Sequence, residues 1–258
     1  MAEPLDIAAE HAALVGRLRG AGQPYRGGQQ NDSYSGSGHP FFNVSAPAQR
    51  RIGRGWLAAH RGAADAELLA VAARLFAGEA YEEKTLAAIL LGASRRARRL
   101  ATPAMVDGWL DHLSGWAEID SLCASVFDAG QLAGDWPAWR GLIERLAGDA
   151  NINRRRAALV LLTTPTRTTD DARFRDLAFA VVERLKAERP ILITKAVSWL
   201  LRSMAGRHGD AVGAYLEANA ASLPAIAVRE SRTKLRTGTK SGRSSAGYPS
   251  SRERGEVG

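Results

Sequence analysis

The sequence predicts an all-α protein, folded as a HEAT-like helical-repeat solenoid (an α-α superhelix) with a concave basic face. The chain is rich in Ala, Leu and Arg, and its apolar residues recur at helical spacing almost throughout, with no convincing run of strands. Three segments, which begin at Lys84, Arg155 and Thr194, also repeat a similar order of small and aliphatic residues. Short helices that repeat in this way are typical of stacked helix pairs.

The spacing of the repeat supports the same fold. Four equivalent positions lie 36, 35 and 39 residues apart: Leu91, Phe127, Leu162 and Leu201. This is close to the length of a HEAT helix pair. The alternative interpretation is a chance similarity between Ala- and Leu-rich helices. A solenoid of such pairs has one concave surface, which suits an extended ligand.

The individual elements follow from start signals and apolar spacing. Pro47 favours a helix start, with Ser45 as its capping candidate. Residues 20–40 are rich in Gly, Ser, Gln and Asn, which predicts a flexible loop within a single domain of residues 1–236. Residues 237–258 are expected to form a disordered basic tail, because they carry too few apolar residues to build a core. Helices are predicted at 5–19, 47–60, 65–77, 80–93, 103–114, 118–128, 136–147, 152–164, 170–187, 190–206, 208–220 and 223–235.

Composition excludes several classes of function. Cys123 is the single cysteine, so an intrachain disulfide is impossible and a cysteine-based metal site is disfavoured. The five histidines show no metal-ligand spacing, and no phosphate-binding glycine motif precedes a helix, so we expect neither metal nor cofactor. The first 18 residues lack the apolar core of a signal peptide, and no apolar stretch is long enough to span a membrane. We expect a cytoplasmic monomer without membrane association.

The net charge suggests a polyanionic partner. It is +8, with a pI near 10.1. The residues from Ser231 onward contribute +5, which leaves only about +3 for the body of the chain. Clusters of cations within the body are therefore more informative than the sum.

Trp116 and Asp120 form the first candidate site. They are four residues apart, so a helix would place them on neighbouring parts of one face. A carboxylate beside an indole ring suits a cation, because the aspartate supplies charge and the ring supplies a negative π-face. The alternative is that Asp120 lies early in its helix and only stabilises the helix dipole.

Arg154, Arg155 and Arg156 form the second candidate site, at the predicted start of an apolar helix. Three cations at a helix N-terminus oppose the helix dipole, which favours anions there. A phosphate would make this placement favourable, because guanidinium groups and backbone N–H groups would converge on it. The alternative is a solvated run paired with nearby acids.

Two further sets of residues complete the candidate surface for a polyanion. Trp199 lies between Lys195 and Arg202 on an aliphatic helix, which favours an anion-facing surface over simple core packing. A basic cluster that includes Arg95 and Arg96 follows a repeat-like helix and would contribute affinity without sequence choice, unless it is only a solvated loop. The other tryptophans are interpreted as packing residues: Trp56, Trp109, Trp136 and Trp139.

Four segments resemble, in order and separation, the DNA alkylation repair glycosylases of the AlkD type. Residues 41–47, FFNVSAP, are similar to that family's aromatic–Gly–Val–x–x–Pro entry into an early helix, with Asn43 in place of the glycine. Residues 115–122, GWAEIDSL, are similar to its Trp-x-x-x-Asp segment. Residues 151–159, NINRRRAAL, are similar to its Arg-x-Ala helix start, and residues 193–202, ITKAVSWLLR, to its last segment. The resemblance covers about residues 41–235. It implies DNA as the ligand, so we expect the protein to be associated with the nucleoid when it is bound to DNA.

The resemblance implies a monofunctional DNA glycosylase that removes cationic N3- or N7-alkylated purines from duplex DNA. It implies that Asp120 stabilises the sugar cation and orients water. It also implies that Trp116 and Trp199 flank the deoxyribose, and that Arg156 holds phosphate. The alternative is a non-catalytic HEAT-like module that binds DNA structures or a protein partner.

Overall fold

The computed structural model describes residues 4–24 and 35–242, and in these ranges the regular structure is entirely helical. The helices alternate with short turns along the whole described chain. They are α1 (Ile7–Ala21), α2 (Ala46–Ala59), α3 (Asp65–Phe76), α4 (Tyr81–Ala93), α5 (Arg95–Arg99), α6 (Pro103–Leu110), α7 (Gly115–Ser125), α8 (Ala129–Gly134), α9 (Trp136–Ala147), α10 (Ile152–Leu161), α11 (Thr163–Thr168), α12 (Ala172–Leu185), α13 (Ile191–Met204), α14 (Gly209–Asn219) and α15 (Ala225–Thr237).

The helices are arranged as an all-α helical-repeat solenoid. One row consists of α2, α4, α7, α10, α13 and α15, and each member contacts the next. A second row packs on it, with α3 against α4, α9 against α10, α12 against α13 and α14 against α15. The repeat predicted from spacing is therefore confirmed, because its four marker positions lie in or directly after α4, α7, α10 and α13.

Three short helices were not predicted, and each has a local cause. The basic cluster was interpreted as a loop, but residues 95–99 form α5, with the Ser94 hydroxyl as its cap. Asp128 caps α8 in the same way. The helix predicted at 152–164 divides after Leu161, because Pro165 lacks the N–H that a continuous helix would need there. Short polar helices carry little apolar periodicity, which is why the pattern missed them.

The entry to α2 has the backbone that its sequence predicts. Asn43 has a φ of 60°, the left-handed conformation that glycine or asparagine adopts most readily. The side chain of Glu82, buried in α4, accepts hydrogen bonds from the backbone N–H groups of Phe42 (2.9 Å) and Val44 (3.1 Å). The hydroxyl of Ser45 then caps α2, as expected. The carboxylate of Glu82 in α4 thus holds the chain that leads into α2.

The core runs between the two rows and takes up most of the aliphatic side chains. Trp56, Trp109 and Trp139 are buried in it, which confirms their interpretation as packing residues. Trp136 is half-buried and packs edge-on against Phe174, with the two ring centroids 5.1 Å apart. The longest helix in the described ranges has 15 residues, and none there is both long and apolar enough to cross a bilayer.

The predicted loop and tail fall partly outside the described residues. Residues 25–34 of the loop and residues 243–258 of the tail lie there. Within the described part, α15 ends at Thr237, and Gly238 closes it in a left-handed conformation with a φ of 72°. Lys240 then pairs with Glu230 at 3.4 Å, so ordered contacts reach past the predicted boundary at residue 236.

Candidate active site

The first turn of α7 is positioned by a glycine that no other residue could replace without strain. Gly115 has a φ of 71°, and a Cβ atom there would overlap the backbone of Ser35 and Gly36. Its N–H donates to Oδ1 of Asn153 at 3.1 Å, which ties the start of α7 to the start of α10. The last residues of the predicted loop therefore pack directly on the helix that carries Trp116 and Asp120.

Glu118 provides the hydrogen-bond acceptor for the backbone at the start of α7. Its buried carboxylate accepts the backbone N–H of Ser114 at 2.9 Å, and it also contacts the Ser37 hydroxyl and Nδ1 of His39. The alternative interpretation of Asp120 as a residue that serves the helix start is therefore wrong, because Asp120 is the sixth residue of α7 and Glu118 serves that end. Asp120 needs another explanation.

Asp120 forms a two-pronged ion pair with Arg156 of α10. Nε and Nη2 of the arginine donate to the two carboxylate oxygens at 2.9 and 2.8 Å. Nη1 donates to the backbone carbonyl of Leu192, at the start of α13, at 2.6 Å. The exposed fractions of the two side chains are 6% for Arg156 and 16% for Asp120, so the arginine is enclosed while the carboxylate reaches the surface.

The electrostatics of Asp120 reflect two opposing causes. Burial raises the pKa of Asp120 above its ordinary value, while the hydrogen bonds and the charge of Arg156 act to lower it. The adjacent Cys123 thiol is enclosed beside the same carboxylate, and burial raises its pKa strongly. A buried thiol with a raised pKa is unreactive, so we assign the chemistry at this position to Asp120.

Asp120 opens into a cleft of about 500 Å³ between α4, α7, α11 and α13. Trp116 and Trp199 line the same cleft, and both indole rings are half-buried. The structure thus brings together the three residues that the sequence suggested as catalytic, of which Trp116 and Trp199 are 83 residues apart in the chain. The cleft is lined by Tyr81, Trp116, Ala117, Asp120, Ser121, Ala124, Ser125, Thr164, Arg167 and Trp199.

Sequence reasoning missed Tyr81, which is a third aromatic residue of this cleft. Its backbone N–H donates to the carbonyl of Pro40 at 2.9 Å, and its ring packs against Phe41 with the centroids 4.7 Å apart. Burial, with Glu118 and Glu82 nearby, raises the pKa of Tyr81, so its phenol is neutral at physiological pH. Its position at the first residue of α4, the helix that holds the first repeat-like segment, was the available signal.

A second cavity of about 450 Å³ adjoins the cleft and shares Tyr81, Ser121 and Ser125 with it. Its floor consists mainly of small residues of α4, and one rim carries Arg50 and Arg54 of α2. Both arginines are exposed and have no ion pair within residues 4–24 and 35–242.

The other two arginines of the predicted phosphate site have protein partners. Arg154 pairs with Asp107, with Asp111 at 2.7 Å and with Asp149 at 2.8 Å. Arg155 pairs with Glu188 at 2.8 Å. These acids supply the negative charge for which the sequence predicted a phosphate at the helix start. For Arg154 and Arg155, the alternative of pairing with nearby acids is therefore the better description. The phosphate contact of Arg156 stays a prediction.

The remaining predicted DNA-binding residues differ in their surroundings. Lys195 is exposed on α13, one turn before Trp199. Arg202 pairs with Glu230 at 3.2 Å, and burial lowers its pKa. Arg95 lines a separate cavity of about 540 Å³ beside Asp128 and Asp135, away from Asp120, and Arg96 pairs with Asp65 at 3.1 Å. Their contacts with DNA stay predictions.

No cluster of three or more His, Cys, Asp or Glu side chains in the described ranges is arranged to hold a metal ion. The cleft offers a carboxylate, three aromatic rings and the guanidinium group of Arg167, which together can bind a cation next to an anion. Comparison with known families is consistent with these groups. Residues 17–235 match the model of a family described as "DNA alkylation repair enzyme". None of the curated proteins matches the chain.

Proposed function

Because the chain belongs to the DNA alkylation repair enzyme family, we propose that it is a DNA glycosylase of the AlkD type. Its substrate would be a cationic N3- or N7-alkylated purine in duplex DNA, and the bond hydrolysed would be the N-glycosidic bond. The observation that carries this proposal is the carboxylate of Asp120, held by Arg156 in an open cleft that Trp116 and Trp199 also line.

The proposed reaction requires a carboxylate and aromatic rings of this kind. An alkylated purine with positive charge leaves as a neutral base and takes the electron pair of the C1′–N bond with it. The sugar then resembles an oxocarbenium ion, as in glycoside hydrolysis. Water adds to C1′ and loses a proton, which the Asp120 carboxylate or solvent accepts. Asp120 thus stabilises the sugar cation by charge, and the indole faces stabilise it by cation–π attraction.

Arg156 has a positioning role in this proposal. Its fork fixes both oxygens of Asp120, and its contact with the Leu192 carbonyl fixes the fork to α13, the helix of Trp199. A carboxylate held in this way needs little reorganisation when positive charge develops beside it. The hydrogen bonds and charge of Arg156 also oppose the rise in the pKa of Asp120 that burial causes.

A face of exposed cations on both sides of the cleft is proposed to bind the DNA backbone. Arg50 and Arg54 lie on one side, one helical turn apart, and Lys195 lies on α13 on the other. Cations of this kind add affinity and salt dependence without selecting a sequence. We expect the protein to act as a monomer on duplex DNA, in the cytoplasm.

The decisive experiment measures release of free alkylpurine from methylated duplex DNA under single-turnover conditions. Asp120→Asn keeps the side-chain shape and removes the charge, so we expect base release to fall at least about 100-fold. Binding of duplex DNA should be equal or tighter, since a charge that repels phosphate is lost. Asp210→Asn, on the exposed start of α14, is the matched control and should retain wild-type release.

Two outcomes would contradict the proposal in different ways. If Asp120→Asn stays within a few-fold of wild type, the catalytic role of Asp120 is wrong. If the wild-type protein binds duplex DNA but releases no base from any methylated duplex, the non-catalytic binding module becomes the better description.

A further inference from the structure

Arg167 is a cation of the Asp120 cleft that the sequence did not single out. It lies in the last turn of α11, is exposed, and lines the cleft together with Trp116, Asp120 and Trp199. Its guanidinium group has no carboxylate partner in the part of the chain that the structure describes, and its closest side-chain contact is the Thr164 hydroxyl at 3.5 Å. A guanidinium group that pairs with no carboxylate of the described residues therefore lines the cleft of the proposed reaction.

The backbone that carries Arg167 is fixed on two sides. The Thr164 hydroxyl donates to the carbonyl of Ala124, in α7, at 3.0 Å. At the other end, Nε of Arg207 donates to the carbonyl of Arg167 itself at 3.2 Å. Pro165 and Thr166 are buried between these anchors. α11 is thus tied to the helix of Asp120 and to the chain that follows α13.

A DNA phosphate in the cleft would need a cation near it. A phosphate that approaches Asp120 is repelled by it, and a cation on the facing wall would offset that repulsion. Arg156 is enclosed, and all three of its nitrogens already donate to Asp120 and the Leu192 carbonyl. Arg167 is the lining residue whose positive charge is exposed and unpaired among the described residues.

We propose that Arg167 contacts a phosphate of the lesion-bearing strand and sets the position of the deoxyribose against Asp120. This inference rests on the proposed function, since it takes duplex DNA as the ligand of the cleft. Arg167 is a positioning residue in this scheme and takes no part in bond cleavage. The simpler interpretation is a cation that only stabilises the C-terminus of a short helix.

The test uses the full chain and unmodified duplex DNA, with binding measured across a range of salt concentrations. Arg167→Gln should reduce the slope of log K against log salt by about 0.9, the contribution of one phosphate contact. The affinity advantage of the wild type over the variant should then shrink about 3.5-fold between about 50 and 200 mM salt. Arg167→Lys should keep most of the slope, because it keeps the charge.

Arg74→Gln is the matched control. Arg74 is also an exposed arginine in the last turn of its helix, α3, but it lines neither cavity of the site. Both glutamine variants should lose the same small stabilisation of a helix C-terminus, and only Arg167→Gln should change the salt slope. Equal slopes for the two variants would overturn the proposal and leave Arg167 with the helix-end role.

The outcome is separable from that of the proposed function. A protein that releases no base, but whose salt slope still falls in Arg167→Gln, lacks glycosylase activity and has the phosphate contact. A protein that releases base with an unchanged slope in Arg167→Gln is a glycosylase without this contact. Where release occurs, single-turnover release by Arg167→Gln at saturating DNA should also fall about 10-fold or more, because the deoxyribose is held less well.

Discussion

The ion pair between Asp120 and Arg156 can be measured directly with a double-mutant cycle. Four proteins are compared: wild type, Asp120→Asn, Arg156→Gln and the double variant. Each single substitution leaves the other charge partly enclosed without its partner, which costs more than the pair itself contributes. The double variant should therefore be less destabilised than the sum of the two single variants.

The structure sets the size of the effect. The two hydrogen bonds are 2.8 and 2.9 Å long, and the side chains are 6% and 16% exposed, so water screens the pair only in part. Charge centres about 4 Å apart attract by about 4 kcal/mol at an effective dielectric constant of about 20. After the desolvation of both groups is subtracted, we expect an interaction free energy of about 2–3 kcal/mol.

The assay is urea-induced unfolding followed by circular dichroism, with comparable m-values required of all four proteins. The control is the same cycle on Arg96 and Asp65, whose ion pair is 3.1 Å long but is 68% and 32% exposed. That pair should give about 0–1 kcal/mol, as exposed pairs do. If the free energies at Asp120 and Arg156 add within about 0.5 kcal/mol, the pair does not hold Asp120 in place and the positioning role of Arg156 is wrong.

Three further outcomes are expected. Arg156→Gln should move the acid side of the pH profile of base release to higher pH, because burial raises the pKa of Asp120 and the charge that opposes this rise is lost. A profile that does not move, after subtraction of spontaneous depurination, would contradict this expectation. Tyr81→Phe should retain base release within about threefold, whereas Tyr81→Leu should lose about 3- to 30-fold if the ring stabilises a cation; equal rates would assign Tyr81 to packing. Truncation after Lys240, which keeps its ion pair with Glu230, should leave Tm and the saturated single-turnover rate unchanged and weaken DNA binding only at low salt; a Tm lowered by several degrees would show that the tail packs on the helices.

Local chemistry explains why much of the fold was predictable. Apolar spacing of a helix is a property of a few neighbouring turns, so the long helices and their repeat could be read along the chain. Start signals are equally local, as the cap of α2 by Ser45 and the left-handed Asn43 show. Helices α5, α8 and α11 were not predicted, because a helix of five or six residues is too short to show apolar periodicity.

The sequence by itself also determined which residues were candidates for the site. Trp116 and Asp120 share a helix face because four residues make about one turn, and Trp199 lies on a helix of the same row. What each charge does was decided by partners distant in the chain. Arg156 meets Asp120 across 36 residues, whereas Arg154 and Arg155, its neighbours in sequence, point to other acids.

Only the tertiary structure could separate three consecutive arginines into three environments, or show Tyr81 and Arg167 in the cleft. Successive residues of a helix point about 100° apart, so adjacent guanidinium groups face different elements. Which acid, ring or open space each one meets depends on how the rows pack. That packing brings α4, α7, α11 and α13 together around one carboxylate.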